Sequence, residues 1–235
     1  MIVSYNGKNY SGYQIQNNGN TIQAELEKAI KIITKETTTC VASGRTDAKV
    51  SAFAQPVHFE VEKSINERKF LNSINGILPD DIRVLTIEQT ELHARFSAKK
   101  KTYVYKMFLS SIDLPLYTDA LRINENLNIK EMQKFIKLLV GTHDFHGFMA
   151  SGSQVESTIR TIYKTKLEEH GLYLNFYVTG NGFLYKMVRN IVGTMLKIGE
   201  GKLNLKEIKP TLFTTFKATN TAKPDFLYLH NVEYK

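Results

Sequence analysis

The stretch Val41-Ala42-Ser43-Gly44-Arg45-Thr46-Asp47-Ala48-Lys49-Val50-Ser51-Ala52 sets one carboxylate among small and hydroxyl residues, with an arginine two positions before it. Gly44 permits a turn or a close ligand approach. Arg45 offers a planar fork suited to phosphate, so Asp47 is placed to act on an anion that the arginine holds. The same residue types also make an ordinary turn, in which the aspartate bonds its own backbone.

Ala98-Lys99-Lys100-Lys101-Thr102-Tyr103-Val104-Tyr105 is a second candidate, with three lysines beside alternating tyrosines. Lysines track phosphates and an aromatic face stacks on an unpaired base. In a strand Tyr103 and Tyr105 share one face; the plainer alternative is a solvated lysine run leading into a half-buried strand. Arg189, within residues 182–190 and on an otherwise apolar helix, is a third. A helical arginine near a core face needs a carboxylate partner, for which Asp47 is one choice, unless its stem lies along the surface. His143 and His146 would meet on a helix as metal ligands, but no further ligand cluster accompanies them, so no metal is expected. Cys40, the single cysteine, excludes an internal disulfide and reads as a packed strand residue rather than a nucleophile.

These residues belong to a chain of 235 residues, 42% hydrophobic and 23% charged, an ordinary globular balance with room for one large domain or two small ones. Thirty-one Lys and Arg oppose 23 Asp and Glu, and the net charge of +8 favours a polyanionic partner, nucleic acid first. No apolar run reaches the roughly 18 residues of a membrane span. The segment 1–8 lacks the charged start and apolar core of a signal peptide, so the expectation is a cytoplasmic protein without membrane contact.

The hydrophobic pattern predicts two halves of the same plan. The first has strands at 2–5, 37–42, 55–61 and 82–87, with helices carrying Ile22, Leu26, Ile30 and Ile33, capped by Thr21, and Phe70, Leu71, Ile74 and Ile77. The second has strands at 103–109, 159–167, 172–178 and 226–234. Its helices are marked by Ile129, Met132, Phe135, Ile136 and Leu139 and by the run 183–198, and a loop at 113–128 separates the halves. The expected fold is α+β, two tandem ferredoxin-like β-α-β-β-α-β units with an antiparallel sheet, divided as 1–100 and 101–235. In this plan Asp47 falls in a connection too long for a tight hairpin, and long loops in compact domains tend to be functional.

Several separated motifs resemble the bacterial tRNA pseudouridine synthase A family, in the same order. They are Tyr5-Asn6-Gly7 with Tyr10-Ser11-Gly12-Tyr13-Gln14-Ile15-Gln16, Gly44 to Ala52, His93-Ala94-Arg95-Phe96-Ser97-Ala98, and Met187 to Gly193. The chain departs from the family pattern at Lys49, where glycine is usual, at Ser51, where histidine is, at Tyr13, where tryptophan is, and at Phe226, a common glycine position. The resemblance implies a pseudouridine synthase fold with a basic cleft, and isomerisation of uridine to pseudouridine in the anticodon stem-loop of tRNA, at nucleotides 38 to 40, by a homodimer using no cofactor. It assigns Asp47 as nucleophile, Tyr103 as the residue stacked on the target base, Arg189 as partner of Asp47, and Arg45 as the grip on the extruded nucleotide. Lys49, Lys99, Lys100 and Lys101 become candidate phosphate contacts. The rival expectation is an RNA-binding module of the same fold without catalysis.

Overall fold

The computed structural model describes residues 1–17, 19–152 and 155–234 and shows two compact units, Met1–Lys99 with Tyr228–Lys235, and Lys100–Leu227. The first unit opens with β1 (Ile2–Tyr5), followed by α1 (Ile22–Thr34), β2 (Val41–Ala42), β3 (Ser51–His58), α2 (Glu67–Ile77) and β4 (Ile82–Thr86). Its strands lie in the order β4-β1-β3-β2, all antiparallel, the order expected of a β-α-β-β-α-β unit. Thr21 caps α1 by accepting the Ala24 N–H at 3.3 Å, and Ile22, Leu26, Ala29 and Ile30 form its buried stripe. Asn66 caps α2 in the same way, through the Lys69 N–H at 3.0 Å. The helix buries Phe70 and Ile74 but leaves Ile77 on the surface, because one helix face alone meets the sheet.

Two strand expectations are corrected here. Only Val41 and Ala42 of the expected strand 37–42 pair with β3, because β3 ends at His58, the partner of Val41. Beyond that point the Glu60 N–H reaches the Thr38 side chain instead of its backbone. β3 in turn begins at Ser51, four residues before the expected start at 55, because Ser51 and Ala52 pair in parallel with Tyr228 and Leu229.

The second unit contains β5 (Lys100–Leu109), β6 (Leu121–Ile123), α3 (Ile129–Leu138), β7 (Gly141–Asp144), β8 (Ile159–His170), β9 (Tyr173–Gly180), α4 (Met187–Gly199) and the short α5 (Leu205–Ile208). Its sheet runs β6-β5-β9-β8-β7, with antiparallel pairing except between β5 and β6. Tyr103, Tyr105 and Met107 of β5 share a face with Phe176 and Val178 of β9, and all five are buried. Met132, Phe135 and Ile136 make the buried stripe of α3, which packs on α4.

The last strand, β10 (Leu227–Glu233), was read with the second half, but from Tyr228 onward it belongs to the first unit, whose β3 it pairs. The loop 113–128 is not plain connection, since β6 lies within it and pairs with β5. The run 183–198 is helical only from Met187, because Lys186 takes a left-handed conformation, φ +57°, that ends the helix on that side.

Candidate active site

Asp47 sits on the connection between β2 and β3, and the surrounding chain pins that connection residue by residue. The Ser43 N–H donates to the Pro56 carbonyl at 2.9 Å, and the Gln55 amide donates to the Gly44 carbonyl at 2.6 Å. Gln55 is wholly buried, so this contact fixes the loop from the core side. The Thr46 side chain meets the Tyr5 hydroxyl at 2.8 Å, and its carbonyl accepts the Tyr13 N–H at 3.1 Å. Burial pushes the Tyr5 hydroxyl up to about 12, with its bonds to Thr46 and Gln55 acting the other way, so it is a neutral anchor at ordinary pH.

Past the aspartate, the Val50 N–H closes a turn onto the Asp47 carbonyl at 3.1 Å, and the Lys49 N–H donates to the Tyr10 carbonyl at 3.1 Å. Gly12, φ +102°, is where the segment 10–13 crosses the loop: a side chain there would stand 2.8 Å from the Thr46 carbonyl oxygen and against the Asp47 backbone. That close approach explains the glycine of the Tyr10-Ser11-Gly12-Tyr13 motif. Thr46 is buried while Arg45 is exposed and Asp47 half-buried, so the loop turns its hydroxyl inward and its arginine toward solvent.

The two departures in this loop have a physical reading. Lys49 adopts φ +67°, a conformation that suits glycine and strains a side-chain-bearing residue. Lys49 is exposed, so its ammonium is available to an anion beside Asp47. The Ser51 hydroxyl accepts the buried Gly7 N–H at 2.9 Å, tying the Tyr5-Asn6-Gly7 motif to the start of β3. Tyr13, at the tryptophan position, is buried and donates its hydroxyl to the Cys40 carbonyl at 3.1 Å. Cys40 itself is buried with its thiol pushed far up by desolvation, which leaves no thiolate for chemistry.

In the second unit, Tyr103 stands on β5 opposite Val178 and meets Phe183 edge to face, ring centroids 5.2 Å apart. Arg189, on the first turn of α4, donates its Nε to the Ala222 carbonyl at 2.8 Å, and the Ala222 N–H returns to the Arg189 carbonyl at 3.1 Å. The Tyr105 hydroxyl donates to the next carbonyl, Lys223, at 2.9 Å. One stretch of chain thus fixes the guanidinium and the tyrosine face of β5 together. Asn190 bonds the Phe148 carbonyl and the Thr221 hydroxyl, and Gly193 lets the Asn220 carbonyl approach closer than any side chain would allow. The Met187–Gly193 motif is therefore a docking strip for residues 220–222 that leaves Arg189 oriented.

Lys100 and Lys101 are half-buried on β5, Lys100 with its ammonium 5.7 Å from the Tyr163 ring, while Lys99 is exposed at the end of the first unit. His143 and His146 do not share a helix: the first lies on β7 with its ring stacked 4.0 Å from that of Phe213, and the second lies in a 3-10 turn. Among the described residues no group of three or more His, Cys, Asp or Glu is disposed to hold a metal.

A sequence model described as tRNA pseudouridine synthase matches residues 1–97 and 135–235. The chain belongs to the tRNA pseudouridine synthase family. A tRNA pseudouridine synthase A of Thermoanaerobacter sp. (strain X514) is 41% identical over 239 residues, covering 100% of this chain and 98% of its own. Its counterpart from Bacillus subtilis (strain 168) is 40% identical over 239 residues, covering 99% and 97%. Membership in the tRNA pseudouridine synthase family confirms the resemblance read from the motifs. The scaffold residues Tyr5, Gln55 and Ser51 had no role assigned from sequence. For Ser51 and Gln55 the available signal was a polar residue inside an otherwise apolar strand, since a wholly buried glutamine requires a polar partner.

Proposed function

We propose that this chain isomerises uridine to pseudouridine in the anticodon stem-loop of tRNA, at nucleotides 38 to 40, with Asp47 as nucleophile. The observation that carries the reading is the Asp47 loop: Tyr10, Tyr13 and Gln55 hold its backbone and Tyr5 holds the Thr46 hydroxyl, while Asp47 stays half-buried between the buried Thr46 and the exposed Ala48 and Lys49. A turn that served only to connect β2 with β3 would not need three contacts from Tyr5, Tyr10 and Tyr13, which lie outside both strands.

The reaction breaks the bond from N1 to the sugar carbon, turns the base, and joins C5 to the same carbon. N1 gains a proton and C5 loses one, so atoms and redox state balance without a cofactor. A carboxylate serves such a step as a covalent nucleophile or as the counter-charge to a cationic sugar. Tyr103 stacks on the detached base, and its hydroxyl assists proton removal from C5. Arg189 pairs with Asp47 and orients it, and Arg45 grips the backbone of the extruded nucleotide. Extrusion costs a few kcal/mol, offset by phosphate contacts from a basic cleft to which Lys49, Lys99, Lys100 and Lys101 contribute. The active form is a cytoplasmic homodimer, with one tRNA reaching both subunits.

The test is to incubate anticodon-arm RNA with the pure protein, adding no metal or nucleotide, and to map pseudouridine. The wild-type chain is expected to form it at 38–40, and Asp47→Asn to bind the RNA without forming any. Equal turnover by Asp47→Asn overturns the assignment of the nucleophile, and retained binding with no turnover by the wild type favours an RNA-binding module.

A further inference from the structure

The motif His93-Ala94-Arg95-Phe96-Ser97 takes no part in the chemistry above, yet it is among the most carefully held turns of the first unit. The His93 N–H donates to the Ser97 hydroxyl at 3.2 Å and the Ser97 N–H returns to the His93 carbonyl at 3.0 Å. The His93 ring accepts the N–H groups of Arg95 and Phe96, both at 3.1 Å, through Nδ1. The His58 ring accepts the Ala94 N–H at 3.1 Å, and the Tyr234 hydroxyl donates to the Ala94 carbonyl at 2.7 Å.

What this scaffold displays is an apolar ring. Phe96 is 76% exposed, more than any other large aromatic side chain among the described residues. It ends a run of ring contacts that starts on β3: His58 meets His93 edge to face at 4.5 Å, and His93 lies 4.3 Å from Phe96, tilted by 31°. The exposed Arg95 guanidinium stands 5.7 Å from the Phe96 centroid. A single exposed phenylalanine is common on protein surfaces; what sets this one apart is that the turn beneath it is held by His58, His93, Ser97 and Tyr234 and that a guanidinium stands beside the ring, an arrangement suited to a ligand that stacks on Phe96. The ligand must offer a flat apolar face joined to an anion, which is the chemistry of a nucleotide.

We propose that Phe96 is a stacking platform for an unpaired base of the RNA substrate, away from the base that reacts, and that Arg95 holds the phosphate beside it. The inference rests on the RNA-modifying reading above and adds a second point of contact to it. The two histidines and Tyr234 fix the backbone that carries the ring, so the turn itself need not be ordered on binding.

The experiment measures the Kd of an in vitro transcribed tRNA for the wild type, Phe96→Ala, Phe96→Trp and Arg95→Ala across a salt series. Phe96→Ala is expected to raise Kd about tenfold, with Phe96→Trp returning to within about twofold of the wild type. Arg95→Ala is expected to lower the slope of log Kd against log salt by about one phosphate contact. Under steady-state turnover the Phe96→Ala loss appears in KM rather than in kcat. A Phe96→Ala protein with wild-type Kd overturns the platform, as does one whose sedimentation shows the loss of a subunit, which would make the ring a protein contact. Binding is read without turnover, so a wild type that binds tRNA but forms no pseudouridine defeats the proposed reaction and leaves the platform to be decided by the same Kd values.

Discussion

The Tyr5 and Thr46 hydroxyls meet at 2.8 Å inside the first unit, one residue before Asp47. Both residues are buried, and the Gln55 amide, 3.5 Å from the Tyr5 oxygen, also holds the Gly44 carbonyl. The loop is therefore anchored to β1 and β3 through side chains rather than through a continuous strand ladder. Tyr5→Phe removes one partner from a buried pair and is expected to cost about 1 kcal/mol of stability. For a chain of this size that lowers the thermal midpoint by about 2–4 °C. The shift passes to Asp47 through a single residue, so kcat is expected to fall by about an order of magnitude, as small misplacements do. RNA affinity should stay close to that of the wild type, and comparison of kcat, Kd and melting temperature separates the three effects.

The strain at Lys49 supports a second prediction. Its φ of +67° suits glycine, so Lys49→Gly relieves the native loop while loosening the unfolded chain, two effects of about 1 kcal/mol that nearly cancel. Lys49→Val, branched at Cβ, finds the left-handed region least acceptable and should be the least stable of the set. Calorimetry is expected to rank glycine at or above lysine, with valine last. If the ammonium meets phosphate, Lys49→Gly also lowers the salt dependence of RNA binding by about one contact. A melting temperature for Lys49→Val equal to that of the wild type would remove the strain argument.

Much of each candidate element was legible in the sequence because each is local. The loop 43–50, the strand with Tyr103 and Tyr105, and the helix with Arg189 each lie within a dozen residues and carry their own pattern. What was illegible is non-local. The pairing of Ser51 with Tyr228 brings residues from opposite ends of the chain together, and nothing in residues 226–234 names that partner. Short strands such as β6 and β7 carry too few residues to show a period, and they form because neighbouring edges accept them. The start of α4 was misplaced because Leu184 continues the apolar spacing, although it is buried by a turn rather than by a helix.

Gly193 tests the docking strip on α4. An added methyl at this position meets the Asn220 carbonyl, and both the helix and the 220–222 segment would have to give way. Gly193→Ala gains helix propensity of about 1 kcal/mol, yet overpacking of this kind costs about 1–3 kcal/mol. The net effect expected in denaturant titration is destabilisation, with kcat reduced because the Ala222 carbonyl no longer fixes the Arg189 Nε. Gly76, where nothing lies within 4 Å of an added methyl, is the control: Gly76→Ala in α2 should be neutral or stabilising, because propensity acts there without a clash.

His58, which holds the turn that presents Phe96, makes the first unit sensitive to acid. Burial holds the His58 ring below its ordinary value, and the neighbouring His93 acts in the same direction, with a smaller contribution from the Met1 amino group; Glu60 opposes them. A neutral ring is also what the geometry demands, since Nδ1 accepts the Ala94 N–H and a doubly protonated imidazole has no acceptor. The unfolded chain binds this proton more readily than the folded one. The stabilising contribution is therefore complete above about pH 6.5, the unfolded value, and is lost as pH falls through the lower folded value. His58→Asn keeps an acceptor oxygen where Nδ1 stands but cannot titrate. Melting temperatures taken from neutral to mildly acid pH should fall less for His58→Asn than for the wild type, and RNA binding should weaken in parallel as the turn that presents Phe96 loosens. Identical pH profiles for the two proteins would show that His58 does not couple this turn to protonation.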